Sequence, residues 1–332
     1  MSMLSFWHPV LVSGDLATGH VVGLKVAGRS LAMFRTDAGR VGAVDDQCAH
    51  RRMKLSFGKV EGGRLVCPYH GWSFGRGGDG ESPSAPKMHA CVVSYDCAET
   101  SGAIWVKARG SDQPLPKFAM DGWNFVGAVF NKVRAPLQLV IDNFSEIEHT
   151  VTTHPDFGID RAQASQAILE IESAEDSVTV RNRGPAKMPP LDTRFAVRMR
   201  RGDLFHSNYT FRFDPPRSEV THLWTDPQTG RERMLKYHVI HYFVPQDDTA
   251  TTVVTFGFLS TKQPLSRFLR WPMAWFFRRK LRRTVEEDAF LLENLADKSS
   301  GLAGMKLSRF DPILALTRER LQRIYYGDGS AS

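Results

Sequence analysis

Cys48-Ala49-His50 and Cys67-Pro68-Tyr69-His70, separated by residues 51–66, place two thiols and two imidazoles in the order C-x-H, then C-x-x-H. A zinc site more usually reads C-x₂₋₄-C followed by H-x₃₋₅-H, whereas here each pair mixes one cysteine with one histidine. With two ferric ions and two sulfides, two thiolates and two neutral imidazoles sum to a charge of about zero, against about −2 for four thiolates. The neutral cluster accepts an electron far more readily. Its potential lies roughly between −150 and +300 mV, against about −400 mV for plant-type all-cysteine clusters.

The pattern is that of a Rieske [2Fe–2S] centre, with Cys48 and Cys67 on one iron and His50 and His70 on the iron that changes valence. Four unrelated buried residues could fall into the same spacing, but the surroundings argue for loops. Gly71-Trp72-Ser73-Phe74-Gly75 follows His70 directly, and Gly58, Gly62 and Gly63 lie between the pairs. Glycine lets backbone N–H groups approach sulfides closely.

A second constellation follows Pro136, in Asp142-Asn143-Phe144-Ser145-Glu146-Ile147-Glu148-His149-Thr150-Val151-Thr152-Thr153-His154-Pro155. Apolar residues at Leu137, Leu139, Val140, Ile141, Phe144 and Ile147 predict a helix that Pro136 opens. His149 and His154 would stand about 140° apart on a straight helix, so they converge only if the helix ends or bends between them. Pro155 moves His154 out of the α region, and Thr150–Thr153 is a poor helix former. Alone, the pair reads as one surface and one loop histidine. Beside a Rieske pattern it suggests two histidines and a carboxylate on one face of Fe(II), leaving open positions for O₂. Dioxygen activation needs two electrons; Fe(II) supplies one and the cluster the other.

On these residues the chain resembles the Rieske non-haem iron aromatic-ring-hydroxylating oxygenases, terminal oxygenase component, over nearly its whole length. Trp7-His8-Pro9-Val10 is similar to that family's start, the cluster pairs match, and D-N-x-x-[DE]-x-x-H-x₄-H stands in place at 142–154. Glu286-Glu287-Asp288-Ala289-Phe290-Leu291-Leu292-Glu293 looks like the family's E-D-x-x-x-x-E helix. The resemblance implies Asp288 as third iron ligand, with Glu286 and Glu287 its nearest competitors. Without the resemblance, Asp288 reads as a solvated helix carboxylate.

The resemblance further implies an all-β Rieske domain over 1–115 and a helix-grip (START-like) antiparallel-sheet catalytic domain over 116–332, an α+β chain. It places Glu146 where the family usually has an aspartate that bridges a cluster histidine of one subunit to an iron-ligand histidine of its neighbour in a head-to-tail homotrimer. Glutamate keeps the charge but is one methylene longer. Asn143 matches a position near the iron that does not ligate. The activity implied is monooxygenation of an apolar, aromatic or polycyclic molecule, by hydroxylation or O/N-demethylation, ahead of aromatic cis-dihydroxylation. A separate NAD(P)H-dependent reductase, with or without a ferredoxin, would supply the electrons. The alternative of another class is an electron carrier or ligand-binding protein whose second domain has lost iron.

The elements that must hold these residues are also legible. Val21–Val26, Ser30–Arg35, Arg64–Val66 and Ala103–Val106 read as short strands broken by glycine, and 109–116 reads as a polar, proline-bearing linker. Ala167–Glu172, Phe195–Arg200, Tyr237–Val244 and Thr251–Phe258 alternate as antiparallel strands, with a turn at Asp226–Gly230 and a long helix over Met273–Ala296. Gly75-Arg76-Gly77-Gly78-Asp79-Gly80 matches G-x-G-x-x-G but no helix begins within it, so it reads as a turn rather than a dinucleotide site. Tyr69, His89, His206, His222, His238 and His241 read as structural, while Asn208 could face a substrate pocket.

Composition bounds the rest. The 332 residues are 42% hydrophobic and 24% charged, ordinary for a globular chain of two domains. No apolar run approaches the roughly 18 residues of a membrane span, and the N-terminus lacks the charged and apolar regions of a signal peptide. Four cysteines, two of them claimed by the cluster, suit a reducing compartment, the cytoplasm. The net charge of +7 gathers partly in Arg267, Arg270, Arg278, Arg279, Lys280, Arg282 and Arg283, interleaved with Phe268, Trp271, Trp275, Phe276 and Phe277. This reads first as a solvated helix face, then as docking for an acidic electron-transfer partner, and last as a membrane-surface patch. No nucleic-acid motif accompanies it.

Overall fold

The computed structural model describes residues 3–86, 88–118, 120–233, 235–261 and 267–327. They form two compact units. Unit 1 comprises Met1–Lys117 with Val244–Thr249, and unit 2 comprises Phe118–Phe243 with Ala250–Ser332.

Unit 1 is all-β, with short 3₁₀ turns. Six antiparallel strands run in the order His8–Val12, Ala103–Ala108, Ser94–Thr100, Val41–Asp45, Arg29–Arg35, Val21–Val26. A smaller five-stranded sheet, Lys59–Glu61, Arg64–Val66, Ser73–Phe74, Asp79–Glu81 and Ala90–Cys91, carries one of the loops that bear the Cys/His pairs. Phe34, Leu55, Leu65 and Phe74 are fully buried beneath these loops. The G-x-G-x-x-G match is a hairpin turn, in which the Gly75 N–H donates to Asp79 O and the Gly78 N–H to Gly75 O, both at 2.9 Å.

Unit 2 is built on a seven-stranded antiparallel sheet in the order Asn124–Val133, Ala250–Thr261, Leu235–Asp247, Pro216–Thr225, Leu204–Phe213, Ser177–Pro185, Ile168–Ser173. Helices α1 (Leu137–Ser145), α2 (Leu191–Val197), α3 (Arg267–Glu293) and α4 (Pro312–Arg320) accompany it. The α3 helix lies so close to the sheet that a Cβ on Gly257 would stand 2.6 Å from Leu281 Cδ1. Leu281, Val285 and Leu292 point inward while Arg279, Arg282 and Arg283 are exposed, the solvated-face arrangement. The side chains of Arg267, Phe268, Arg270 and Trp271 lie outside the described residues. The helix begins before Pro272 and ends at Glu293, rather than spanning Met273–Ala296. Among the described residues no helix is long and apolar enough to cross a membrane.

One predicted strand is absent. Phe195–Val197 closes α2, and Met199 turns back to donate its N–H to Arg194 O at 3.1 Å. The sheet has no slot for a strand there, because Ser177–Pro185 pairs directly with Leu204–Phe213 along its whole length. Pro190, before the helix, supplies the carbonyl that accepts the Arg194 N–H at 2.9 Å. Tertiary pairing overrides the local β-propensity of Phe-Ala-Val.

Candidate metal centres

The first turns of α1 bury Leu137, Leu139, Val140 and Ile141, and the helix stops at Ser145. Glu146 is extended (φ −97°, ψ 155°), and a short 3₁₀ turn, Glu148–Val151, carries His149. The chain then runs to His154, which precedes Pro155. This break brings the two imidazoles together, with ring centroids 5.2 Å apart and planes at 83°.

Asp288 arrives from α3. Its Oδ1 lies 3.4 Å from His149 Nε2 and 3.3 Å from His154 Nε2. One ligand atom from each of the three residues lies within 4.8 Å of the others, and both His154 and Asp288 are 2% exposed. Each imidazole is held from behind by its own carboxylate. His149 Nδ1 meets Glu146 Oε1 at 2.6 Å, and Glu146 Oε2 also accepts the His149 backbone N–H at 3.1 Å. His154 Nδ1 meets Glu287 Oε2 at 3.0 Å. This is the arrangement by which ligating histidines are fixed in tautomer and orientation. Asn143 Nδ2 donates to Asp288 Oδ1 at 3.0 Å, steadying the carboxylate.

The charge of this cluster calls for a cation. Burial works against a charged His154, yet the Asp288 and Glu287 carboxylates raise its pKa to about 9. Burial likewise opposes ionisation of Asp288, but the two histidines hold its pKa below the ordinary carboxylate value. Two neutral imidazoles and a carboxylate fit a divalent iron here.

Lys187, from the connection leading into α2, clamps the loop between the histidines. Its Nζ donates to Thr150 O at 2.6 Å, Val151 O at 3.2 Å and His154 O at 2.5 Å. A cation placed here satisfies carbonyls left open at the end of the 3₁₀ turn. The chain passes behind the clamp at Gly158 (φ +119°), where a Cβ would stand 2.8 Å from Thr150 O.

Beside the centre lies an apolar pocket of about 80 Å³, lined in part by Phe157, Trp224, Tyr237 and Leu259. Phe157 stacks on His154 at 4.8 Å. Thr284, Leu281 and Phe277 also line it and lie one, two and three turns before Asp288 on α3, so one helix face serves both pocket and centre.

In unit 1 the two Cys/His loops have the same backbone construction. The Cys48 N–H donates to Met53 O and the Arg52 N–H to Cys48 O; the Cys67 N–H donates to Trp72 O and the Gly71 N–H to Cys67 O. Each loop closes on a left-handed residue, Arg52 at φ 57° and Gly71 at φ 72°. The thiols of Cys48 and Cys67 are buried; burial raises the Cys48 pKa, which the backbone N–H groups of His50 and Arg51 oppose. The imidazoles of His50 and His70 are exposed with centroids 4.6 Å apart, and His50 stacks on Trp72 at 4.8 Å. Two buried thiols with N–H donors, beside two outward imidazoles, fit a cluster whose histidine-bound iron faces the surface.

Residues 6–98 match the Rieske [2Fe-2S] domain, and residues 133–322, more than half the chain, match the Vanillate O-demethylase oxygenase C-terminal domain. The chain belongs to the Rieske non-haem iron oxygenases. A Rieske domain carries a [2Fe–2S] cluster, and the family's second cofactor is a non-haem iron. The chain is 27% identical to 4beta-methylsterol monooxygenase of Methylococcus capsulatus over 316 residues, 87% of this chain and 79% of that one. It is 36% identical to chlorophyllide a oxygenase of Chlamydomonas reinhardtii over 159 residues, covering 45% of this chain but only 24% of that relative's length. It shares its fold with a crystal structure of dicamba monooxygenase bound to 3,6-dichlorosalicylic acid (TM-score 0.79, 16% identity, 98% of each chain).

The sequence competitors of Asp288 separate cleanly in space. Glu286 is exposed, and Glu287 faces the back of His154. His206, His222, His238 and His241 are engaged by the hydroxyls of Thr225, Ser207, Thr221 and Thr255. Asn208 does not face the apolar pocket. It pairs with Arg181 on the outer face of the sheet, beside His206 in an open polar cleft. Sequence reasoning missed the roles of Glu287, Lys187 and Phe157. A carboxylate adjoining Asp288 was a usable signal for the first; the other two had none.

Proposed function

We propose that this chain is the terminal oxygenase component of a multicomponent monooxygenase acting on an apolar small molecule. The observation that carries the reading is the meeting of His149 Nε2, His154 Nε2 and Asp288 Oδ1 beside an apolar pocket. His149, His154 and Asp288 would hold the mononuclear iron, and Cys48, His50, Cys67 and His70 the cluster. When bound, the cluster supplies single electrons and the iron supplies open coordination positions for O₂. The balanced reaction is R–H + O₂ + 2 e⁻ + 2 H⁺ → R–OH + H₂O; on an O- or N-methyl group the hydroxylated carbon then leaves as formaldehyde. A separate NAD(P)H-dependent reductase, with or without a ferredoxin, would deliver the electrons, and a homotrimer would pair one subunit's cluster with its neighbour's iron.

The chain's own residues do four things. Glu146 and Glu287 hold the Nδ1 protons of the two histidines, which leaves both Nε2 atoms free to ligate. Asn143 and Lys187 fix Asp288 and the histidine loop. Phe157 covers one face of His154 and limits water there. The pocket, which Thr284 lines one turn before Asp288 on α3, would hold an apolar substrate. The intact ligand set favours an oxygenase over an electron carrier.

Metal analysis of the anaerobically reconstituted protein tests this. About three irons per chain and substrate-dependent O₂ uptake with a surrogate reductase are expected. About two irons and no uptake would leave an electron carrier.

A further inference from the structure

We propose that the oxygenase selects neutral substrates and rejects carboxylates, because the cation at its pocket stands between two carboxylates that leave the site net negative. The proposal rests on the reading above that this pocket receives the substrate.

Apart from the Trp224 indole, the polar side chains lining the pocket are Asp156, Thr193, Tyr237, Lys280 and Thr284. Each has a partner within the protein. The Tyr237 hydroxyl pairs with His222 Nδ1 at 2.6 Å, while Thr193 Oγ1 donates to Asp156 Oδ1 at 2.7 Å and Thr284 Oγ1 to Lys280 O at 3.1 Å. Lys280 Nζ lies 2.7 Å from Asp156 Oδ1 and 3.0 Å from Asp192 Oδ2, with the Phe276 ring centroid at 5.4 Å on another side. One ammonium therefore stands between two carboxylates and an aromatic face, and the three ionised groups sum to −1.

A carboxylate would surrender its water on entering this apolar pocket. It would also meet net negative charge, and an unpaired charge is strongly disfavoured in such surroundings. A neutral ring or methyl group suffers neither cost and gains apolar contact. The fold reinforces the arrangement: Asp192 and Thr193 come from the first turn of α2, so this helix closes the rim against α3.

The test uses the iron-loaded, anaerobic full chain and two probes of nearly equal shape, para-fluorotoluene and para-fluorobenzoate. Binding is followed by fluorine NMR, where broadening by the paramagnetic iron reports proximity to the centre. The wild type is expected to bind the neutral probe tighter than the anion by about 100-fold. Asp192→Asn, at a half-exposed side chain, should narrow that ratio, and Asp156→Asn with Asp192→Asn should narrow it by about tenfold or more. Should the double variant fail to fold, Asp192→Asn alone decides. Equal or tighter binding of the anion by wild type, or a ratio unchanged in the folded variants, overturns the charge selection while leaving the pocket as substrate site. Failure of both probes to bind or broaden in wild type overturns the pocket reading itself.

Discussion

Glu287 and Asp288 are consecutive in α3, yet they grip opposite nitrogens of one ring. Glu287 Oε2 lies 3.0 Å from His154 Nδ1, and Asp288 Oδ1 lies 3.3 Å from His154 Nε2. A single helical step therefore supplies both a candidate iron ligand and the group that orients its neighbour. Arg283, one turn earlier, holds the other Glu287 oxygen at 3.0 Å.

Glu287→Gln should weaken mononuclear iron binding by about 10- to 100-fold, because the imidazole loses its anionic anchor. Iron(II) titration, read by the EPR signal of the nitric oxide complex, measures this while the cluster absorption stays unchanged. Wild-type affinity in this variant would remove the anchoring role.

Asp288→Ala should abolish both mononuclear iron and turnover with an intact Rieske spectrum. Glu286→Ala, at an exposed position, should do neither. Equal behaviour of the two variants would contradict the geometry.

Glu146→Gln should keep both metal centres loaded but slow turnover by orders of magnitude, if this carboxylate links the iron ligand to a neighbouring subunit's cluster. Single-turnover rates of electron transfer from the reduced cluster are the decisive measurement.

Lys187→Met leaves three carbonyls without their cation and should cost about 2–3 kcal/mol of stability. Iron affinity should fall with it, whereas Lys187→Arg should restore most of both. Urea midpoints and iron titrations on the two variants check this.

Burial lowers the pKa of His8 and His241 to about 4 and of His222 to about 3. Above pH ~6.5 these groups are neutral whether the chain is folded or not. Between that value and the folded pKa, the unfolded chain binds protons that the native state refuses, so stability falls as pH falls. Each histidine contributes up to about 1.4 kcal/mol per pH unit. Urea midpoints should drop between pH 7 and 5.5, and His241→Gln should flatten the drop; a pH-independent midpoint would contradict the burial argument.

The sequence by itself determined what is local. C-x-H and C-x-x-H are short enough that their spacing fixes which atoms can meet. Four β-branched residues and a proline keep Thr150–Pro155 out of an α-helix, but the helix ends earlier than that signal, at Ser145, so both histidines lie beyond it. Tertiary structure decided what joins distant segments. Nothing in Glu286-Glu287-Asp288 says which carboxylate meets a loop more than 130 residues away; the rotation of α3 on the sheet, set where Leu281 lies against Gly257, makes that choice. Likewise Phe195–Val197 has strand-like residues, but the direct pairing of Ser177–Pro185 with Leu204–Phe213 left them outside the sheet, free to form the helix whose first turn closes the pocket.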